Sequence, residues 1–78
     1  MLKYTIVLTK EPDGRFSVTV PALPGCFTWG STREETIENA REAIQAYLES
    51  CVLAGEPLPR EDVAPSVVVE VPEPSMNR

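Results

Sequence analysis

Residues 15–38 read RFSVTVPALPGCFTWGSTREETIE, and within them the hydrophobic period changes from two to about 3.6. Phe16, Val18 and Val20 alternate with Ser17 and Thr19, the pattern of a strand with one buried face. Pro21-Ala22-Leu23-Pro24-Gly25 stops that strand. Two prolines and a glycine in so short a stretch force a compact loop, with Leu23 held between the prolines as a plug into the core. Cys26-Phe27-Thr28-Trp29-Gly30 is a short aromatic strand bounded by Gly25 and Gly30. From Ser31 the spacing becomes helical. Thr32 and Glu35 match a capping box, and Glu34 and Glu35 suit the positive end of a helix dipole. Ile37, Ala40, Ile44, Tyr47, Leu48 and Cys51 then trace one helical face, with Ala43 on its flank. Gly55 is the expected stop, with Pro57 just beyond, so the helix should run for about 21 residues, or roughly 31 Å.

Upstream, residues 2–9 (LKYTIVLT) alternate as well, with Leu2, Tyr4, Ile6 and Leu8 on one side. Lys10-Glu11-Pro12-Asp13-Gly14-Arg15 carries a strong turn signal, because proline presets the entry and glycine accepts positive φ. The two flanking strands therefore make a β-hairpin. Downstream, residues 56–65 (EPLPREDVAP) form a polar, proline-rich connection, and residues 66–71 (SVVVEV) a fourth strand beside the first. The expected fold is α+β in two layers: order β-β-β-α-β, a four-stranded sheet arranged 3-2-1-4, and one helix covering one face. Residues 1–71 make one domain and 72–78 a flexible C-terminal tail. With three antiparallel strands and a parallel fourth, the sheet would be partial ribonuclease H-like, the helix making a right-handed crossover. The uncovered face would carry Lys3, Thr5, Val7, Ser17 and Thr19.

Composition narrows the function. The 78 residues carry a net charge of −5, enough chain for a single domain. Residues 1–30 are slightly basic, and the excess acid lies from residue 31 onward. An acidic chain argues against direct DNA or RNA binding and against an anionic membrane surface. No signal segment and no apolar run of membrane-spanning length is visible, so a cytoplasmic location is expected. The absence of histidine removes Ser-His-Asp and Cys-His nucleophiles and histidine-ligated zinc. Cys26 and Cys51 are expected as packed, reduced thiols. Glu38, Glu42 and Glu70 are the acids a divalent cation would need, yet the first strand offers no acid to complete such a site, and periodicity puts Glu38 and Glu42 toward solvent. No catalytic residue, metal or cofactor is expected.

What remains is surface. Glu34, Glu38, Glu42, Gln45 and Glu49 form a stripe along the helix, read either as a solvated face or as an acidic surface for a basic partner. Like charges four residues apart oppose the helix, partly offset by Arg41. Trp29 and Tyr47 are candidates for core or for interface anchors, Trp29 being the one placed at a strand end.

The run Val20-Pro21-Ala22-Leu23-Pro24-Gly25-Cys26-Phe27-Thr28-Trp29-Gly30-Ser31-Thr32 resembles the V-P-D-L-P-G-C-x-T-x-G-D-T block of HicB-like antitoxins. Tyr4, Asp13-Gly14 and Phe16-Ser17-Val18 are similar to their first hairpin. Glu35-Thr36-Ile37-Glu38-Asn39-Ala40-Arg41-Glu42-Ala43-Ile44 is similar to their helix. The resemblance implies a partial ribonuclease H-like fold, homo-oligomerisation, and a non-enzymatic antitoxin that neutralises a HicA-type mRNA interferase toxin, a small basic ribonuclease. Ala22 and Ser31 stand where the family usually has aspartate. The chain ends seven residues after Val71, so the expected member is a short form lacking the C-terminal DNA-binding domain. Partner binding would fall on Glu34, Glu38, Glu42, Glu49 and Trp29, with the open face of the sheet as the second candidate surface. An edge third strand bearing Phe27 and Trp29 could pair across a two-fold axis. An orphan oligomeric regulatory protein and a degenerate ribonuclease H-like nucleic-acid binder are the alternative readings.

Overall fold

A computed structural model describes residues 2–59 and 67–74. Alternation produces β1 (Leu2–Lys10), β2 (Phe16–Thr19) and β3 (Phe27–Gly30); the helical period produces α1 (Arg33–Leu53), and β4 (Val67–Val71) follows. The sheet order is β3-β2-β1-β4. Val18 lies opposite both Leu8 and Thr28, and Lys3 lies opposite Glu70. All three ladders are antiparallel.

The direction of β4 corrects the parallel fourth strand on which the ribonuclease H comparison rested. Residues 54–66 lie between α1 and β4. Extended, they reach roughly 43 Å, more than the roughly 31 Å length of the helix, so they can return the chain to the end of the sheet at which α1 begins. β4 then starts there and runs against β1. Most of the 56–65 connection lies outside the described residues. At its start, Tyr4 Oη donates a 2.6 Å hydrogen bond to the Pro59 carbonyl.

The core lies between sheet and helix. Tyr4, Ile6, Val18, Val69 and Val71 meet Ala40, Ile44 and Leu48, all nearly or fully excluded from solvent. Leu23 is fully buried, as a plug should be. Two successive turns hold it there: Leu23 N donates to Val20 O, and Cys26 N to Leu23 O. Gly25 has φ of +81°, which Pro24 before it and the absence of a Cβ make affordable in a tight turn. Phe16, placed inward by its parity, is only half-buried.

The helix begins as its sequence dictates. Thr32 Oγ1 accepts from Glu35 N at 3.0 Å, and Glu35 Oε1 accepts from Ser31 N at 2.7 Å. At its end Gly55 N donates to Val52 O and Glu56 N to Cys51 O, a Schellman closure. Thr36, left off the apolar face by its hydroxyl, is fully buried and donates to Thr32 O at 2.6 Å. Of the residues assigned to the tail, Pro72 and Glu73 are exposed and Pro74 is buried; 75–78 lie outside the described residues.

Candidate functional site

The acidic stripe is where the periodicity puts it. Glu34, Glu38, Glu42 and Glu49 are all exposed on the outer side of α1, with Gln45 half-buried among them. Glu38 Oε1 lies 3.4 Å from Arg41 Nε, a weak surface pair. Arg41 is committed elsewhere too: its Nη1 donates to the Glu70 carbonyl at 2.6 Å. Among the described residues Glu34, Glu42 and Glu49 have no ion-pair partner. Glu34 lies in the first turn, where the helix dipole favours it. Glu49 lies near the other end, where the dipole opposes it and no basic residue occupies the last turn.

Trp29 is not with them. Val18 and its neighbour Thr28 lie on opposite strands, and Val18 faces the core; strand alternation therefore turns Trp29 and Phe27 away from the helix. Both are largely exposed, at 59% and 62%, and their rings meet edge to face with centroids 6.4 Å apart. Ser17 and Thr19 are their cross-strand neighbours, and exposed Val7 continues the surface beyond Thr19. The five residues expected to bind a partner thus fall on opposite sides of a two-layer molecule, not in one site.

The aromatic side has a shaped surface. A groove of about 610 Å³ runs from the β1–β2 turn to β3, lined by Glu11, Pro12, Asp13, Arg15, Ser17, Phe27 and Trp29 among others. Its polar wall is internally satisfied: Ser17 Oγ donates to Glu11 Oε2 at 2.6 Å, and Arg15 Nε to Asp13 Oδ2 at 3.0 Å. The Arg15 main-chain N–H, and then its guanidinium, hold the Asp13 carboxyl below the usual range. Of the other residues expected on this face, Lys3 pairs with Glu70 at 3.5 Å, and Thr5 is buried.

Phe27, expected only on a pairing edge of β3 and not among the partner-binding residues, stands exposed beside Trp29. Its signal was parity: Leu23 and Cys26 point inward, so Phe27 and Trp29, one and three positions beyond Cys26, point outward together. The groups weighed for chemistry stay apart. Glu38 and Glu42 lie on the outer side of the helix, and Glu70 lies on β4 beside Lys3. Cys26 and Cys51 are buried free thiols, and burial pushes the Cys26 thiol above its usual pKa, away from a reactive thiolate. Among the described residues no helix is long and apolar enough to cross a membrane.

An antiparallel 3-2-1-4 sheet backed by one helix is the architecture of HicB N-terminal domains. The chain superposes on the crystal structure of the N-terminal domain of the Burkholderia pseudomallei antitoxin HicB with a TM-score of 0.69 at 32% identity, covering 85% of this chain and 74% of that one. A chain of the HicA3 and HicB3 toxin–antitoxin complex matches with a TM-score of 0.64 at 33% identity, covering 78% of this chain and 72% of that one. A UPF0150 protein of Thermoplasma acidophilum is 51% identical over 61 residues, covering 78% of this chain and 88% of its own. Antitoxin HicB 1 of Photorhabdus laumondii is 30% identical over 71 residues, which cover 91% of this chain and 46% of that longer protein. The family described as HicB-like antitoxin of bacterial toxin–antitoxin systems matches residues 4–73. The chain belongs to that family.

Proposed function

We propose that the protein acts without catalysis, by covering a small basic HicA-type toxin with the acidic face of α1. The observation that carries this reading is the exposed row Glu34, Glu38, Glu42 and Glu49, in which only Glu38 has a cation beside it among the described residues. Helices usually arrange their charges to suit the dipole and to avoid like pairs four apart. This one keeps Glu34/Glu38 and Glu38/Glu42 at that spacing and places Glu49 at its unfavourable end. A feature that works against local stability is where function is expected. Steering by such a row acts mainly on the association rate and fades with salt. The similarity to a chain of a HicA–HicB complex supports the kind of partner.

The test uses the purified protein and the product of a short basic reading frame neighbouring its gene. Association is followed by stopped flow at low and high salt. Glu38→Lys with Glu42→Lys should slow association several-fold at low salt and leave dissociation nearly unchanged. An unaltered association rate removes the acidic face from the interface. Failure of the two proteins to bind at all removes the toxin reading itself.

A further inference from the structure

We propose that the groove on the open face of the sheet receives an arginine side chain from an extended segment of a partner protein, stacked on Trp29 and Phe27 and forked onto the Glu11 carboxylate. Ser17 lies opposite Trp29, and Thr19 opposite Phe27. Cross-strand neighbours on one face stand about 5 Å apart at Cβ, and Ser17 Oγ donates to Glu11 Oε2 at 2.6 Å. One hydroxyl therefore ties the Glu11 carboxylate to the strand position beside the Trp29 ring. Glu11, Ser17, Phe27 and Trp29 all line the same space of about 610 Å³.

The hydrogen bonds of that wall are satisfied, but its charge is not. Arg15 is committed to Asp13. Lys10 lies over the Phe16 ring, 6.0 Å from its centroid, and Lys3 pairs with Glu70. Glu11 is half-buried and has no cation beside it among the described residues. A carboxylate partly withdrawn from water calls for a counter-charge, and here only the Ser17 hydroxyl answers it. Next to it, Phe27 and Trp29 are more than half exposed, with ring planes 66° apart. The corner between the rings is open to whatever enters the groove, and the face of an aromatic ring attracts a cation.

This combination selects the occupant. An apolar ligand would cover the rings and leave Glu11 further buried without a counter-charge. A phosphate or an acidic peptide would meet Glu11 and Asp13. An ammonium answers the charge but is a compact, strongly hydrated point. A guanidinium is planar and weakly hydrated, stacks on aromatic faces and forks onto a carboxylate. The groove has the volume of a drug-sized ligand rather than of one side chain, so the arginine arrives on an extended segment. Trp29 and the acidic row of α1 look in opposite directions, so a segment seated here leaves that row free. The inference does not rest on the toxin reading, and its test contains no toxin.

Trp29 is the chain's single tryptophan, so its fluorescence reports this groove. The probes are the end-blocked peptide Thr-Val-Arg-Val-Thr and its counterparts with lysine or with citrulline, which keeps the shape of arginine without its charge. The arginine peptide should shift the Trp29 emission saturably, and the citrulline peptide should bind about tenfold more weakly or worse, with lysine between them. Glu11→Gln keeps an acceptor for Ser17 and removes the charge, so it should bring the arginine peptide down to the level of the citrulline peptide. Glu38→Lys with Glu42→Lys, on the far side of the molecule, should leave the affinity unchanged. Should Glu11→Gln fail to fold, the arginine–citrulline comparison on the unaltered protein decides the matter. Equal binding of the arginine peptide and either counterpart overturns the inference. So does the lack of a saturable response in the millimolar range, a loss through the helix pair and not through Glu11→Gln, or tighter binding of single-stranded oligouridylate.

Discussion

Gly30 joins β3 to the helix cap, and replacing it with alanine tests how the two layers are held together. A Cβ there would stand 2.7 Å from Thr36 Oγ1, 2.9 Å from Thr36 N and 3.1 Å from Thr36 Cα. The hydroxyl could rotate away; the main chain of a helical first turn cannot. Thr36 N donates to Thr32 O at 2.9 Å, and Thr32 also caps Glu35, so pushing Thr36 outward loosens the cap that starts α1. Overpacking of this kind costs about 1–3 kcal/mol. The weakened cap adds up to about 1 kcal/mol, and the stiffer unfolded chain returns about 0.4–1 kcal/mol. A net loss of about 2 kcal/mol lowers the melting temperature of a domain this small by about 8–16 °C. Thermal and urea unfolding followed by circular dichroism at fixed protein concentration measure it. In a Thr36→Ala background the loss should shrink but not vanish, since the main-chain contact remains. A melting temperature within about 2 °C of the unaltered protein would refute the close approach of strand and helix at this point.

Other expected outcomes follow from the same packing and charge. Leu23→Ala empties the plug between the two turns and should cost about 2–5 kcal/mol in urea unfolding, with an unchanged midpoint contradicting its place in the core. Glu49→Lys should raise the melting temperature by about 1–8 °C by relieving the helix dipole, and at the same time slow toxin association; a fall in stability would refute the dipole argument. Burial raises the pKa of the Cys26 thiol in the folded state. Its contribution is therefore complete below the unfolded thiol pKa and is lost as pH rises through the higher folded value. The urea midpoint should decline on the alkaline side, less so in Cys26→Ala, and alkylation of Cys26 should be slow until the protein is unfolded.

The chain's local elements were legible because short-range rules fix them. Thr32 and Glu35 marked the helix start, Gly55 its end, and alternation marked β1 and β2 within a residue or two. Pro21, Pro24 and Gly25 marked the loop that buries Leu23. The block from Val20 to Thr32 also carried the family. The row of acids on the helix was legible for the same reason, since the 3.6-residue period tells which side chains share a face. Phe16, by contrast, sits at the sheet's margin beside Gly30, so correct parity left it only half-covered.

The direction of β4 depended on where a long polar connection takes the chain, and no residue pattern in β4 itself distinguishes a parallel from an antiparallel edge strand. The positions of the five candidate interface residues were likewise beyond one-dimensional reading: helix and strand faces are each periodic, but only their packing shows that Glu38 and Trp29 look in opposite directions. The hydrogen bond that Asn39 Nδ2 donates to the Trp29 carbonyl belongs to this second group, because it joins residues ten positions apart on different elements. Sequence determined which segments become strand, turn and helix, because those choices are made among neighbours along the chain. Tertiary structure decided which surfaces are left uncovered, because exposure is set by what segments far apart in sequence place on top of one another.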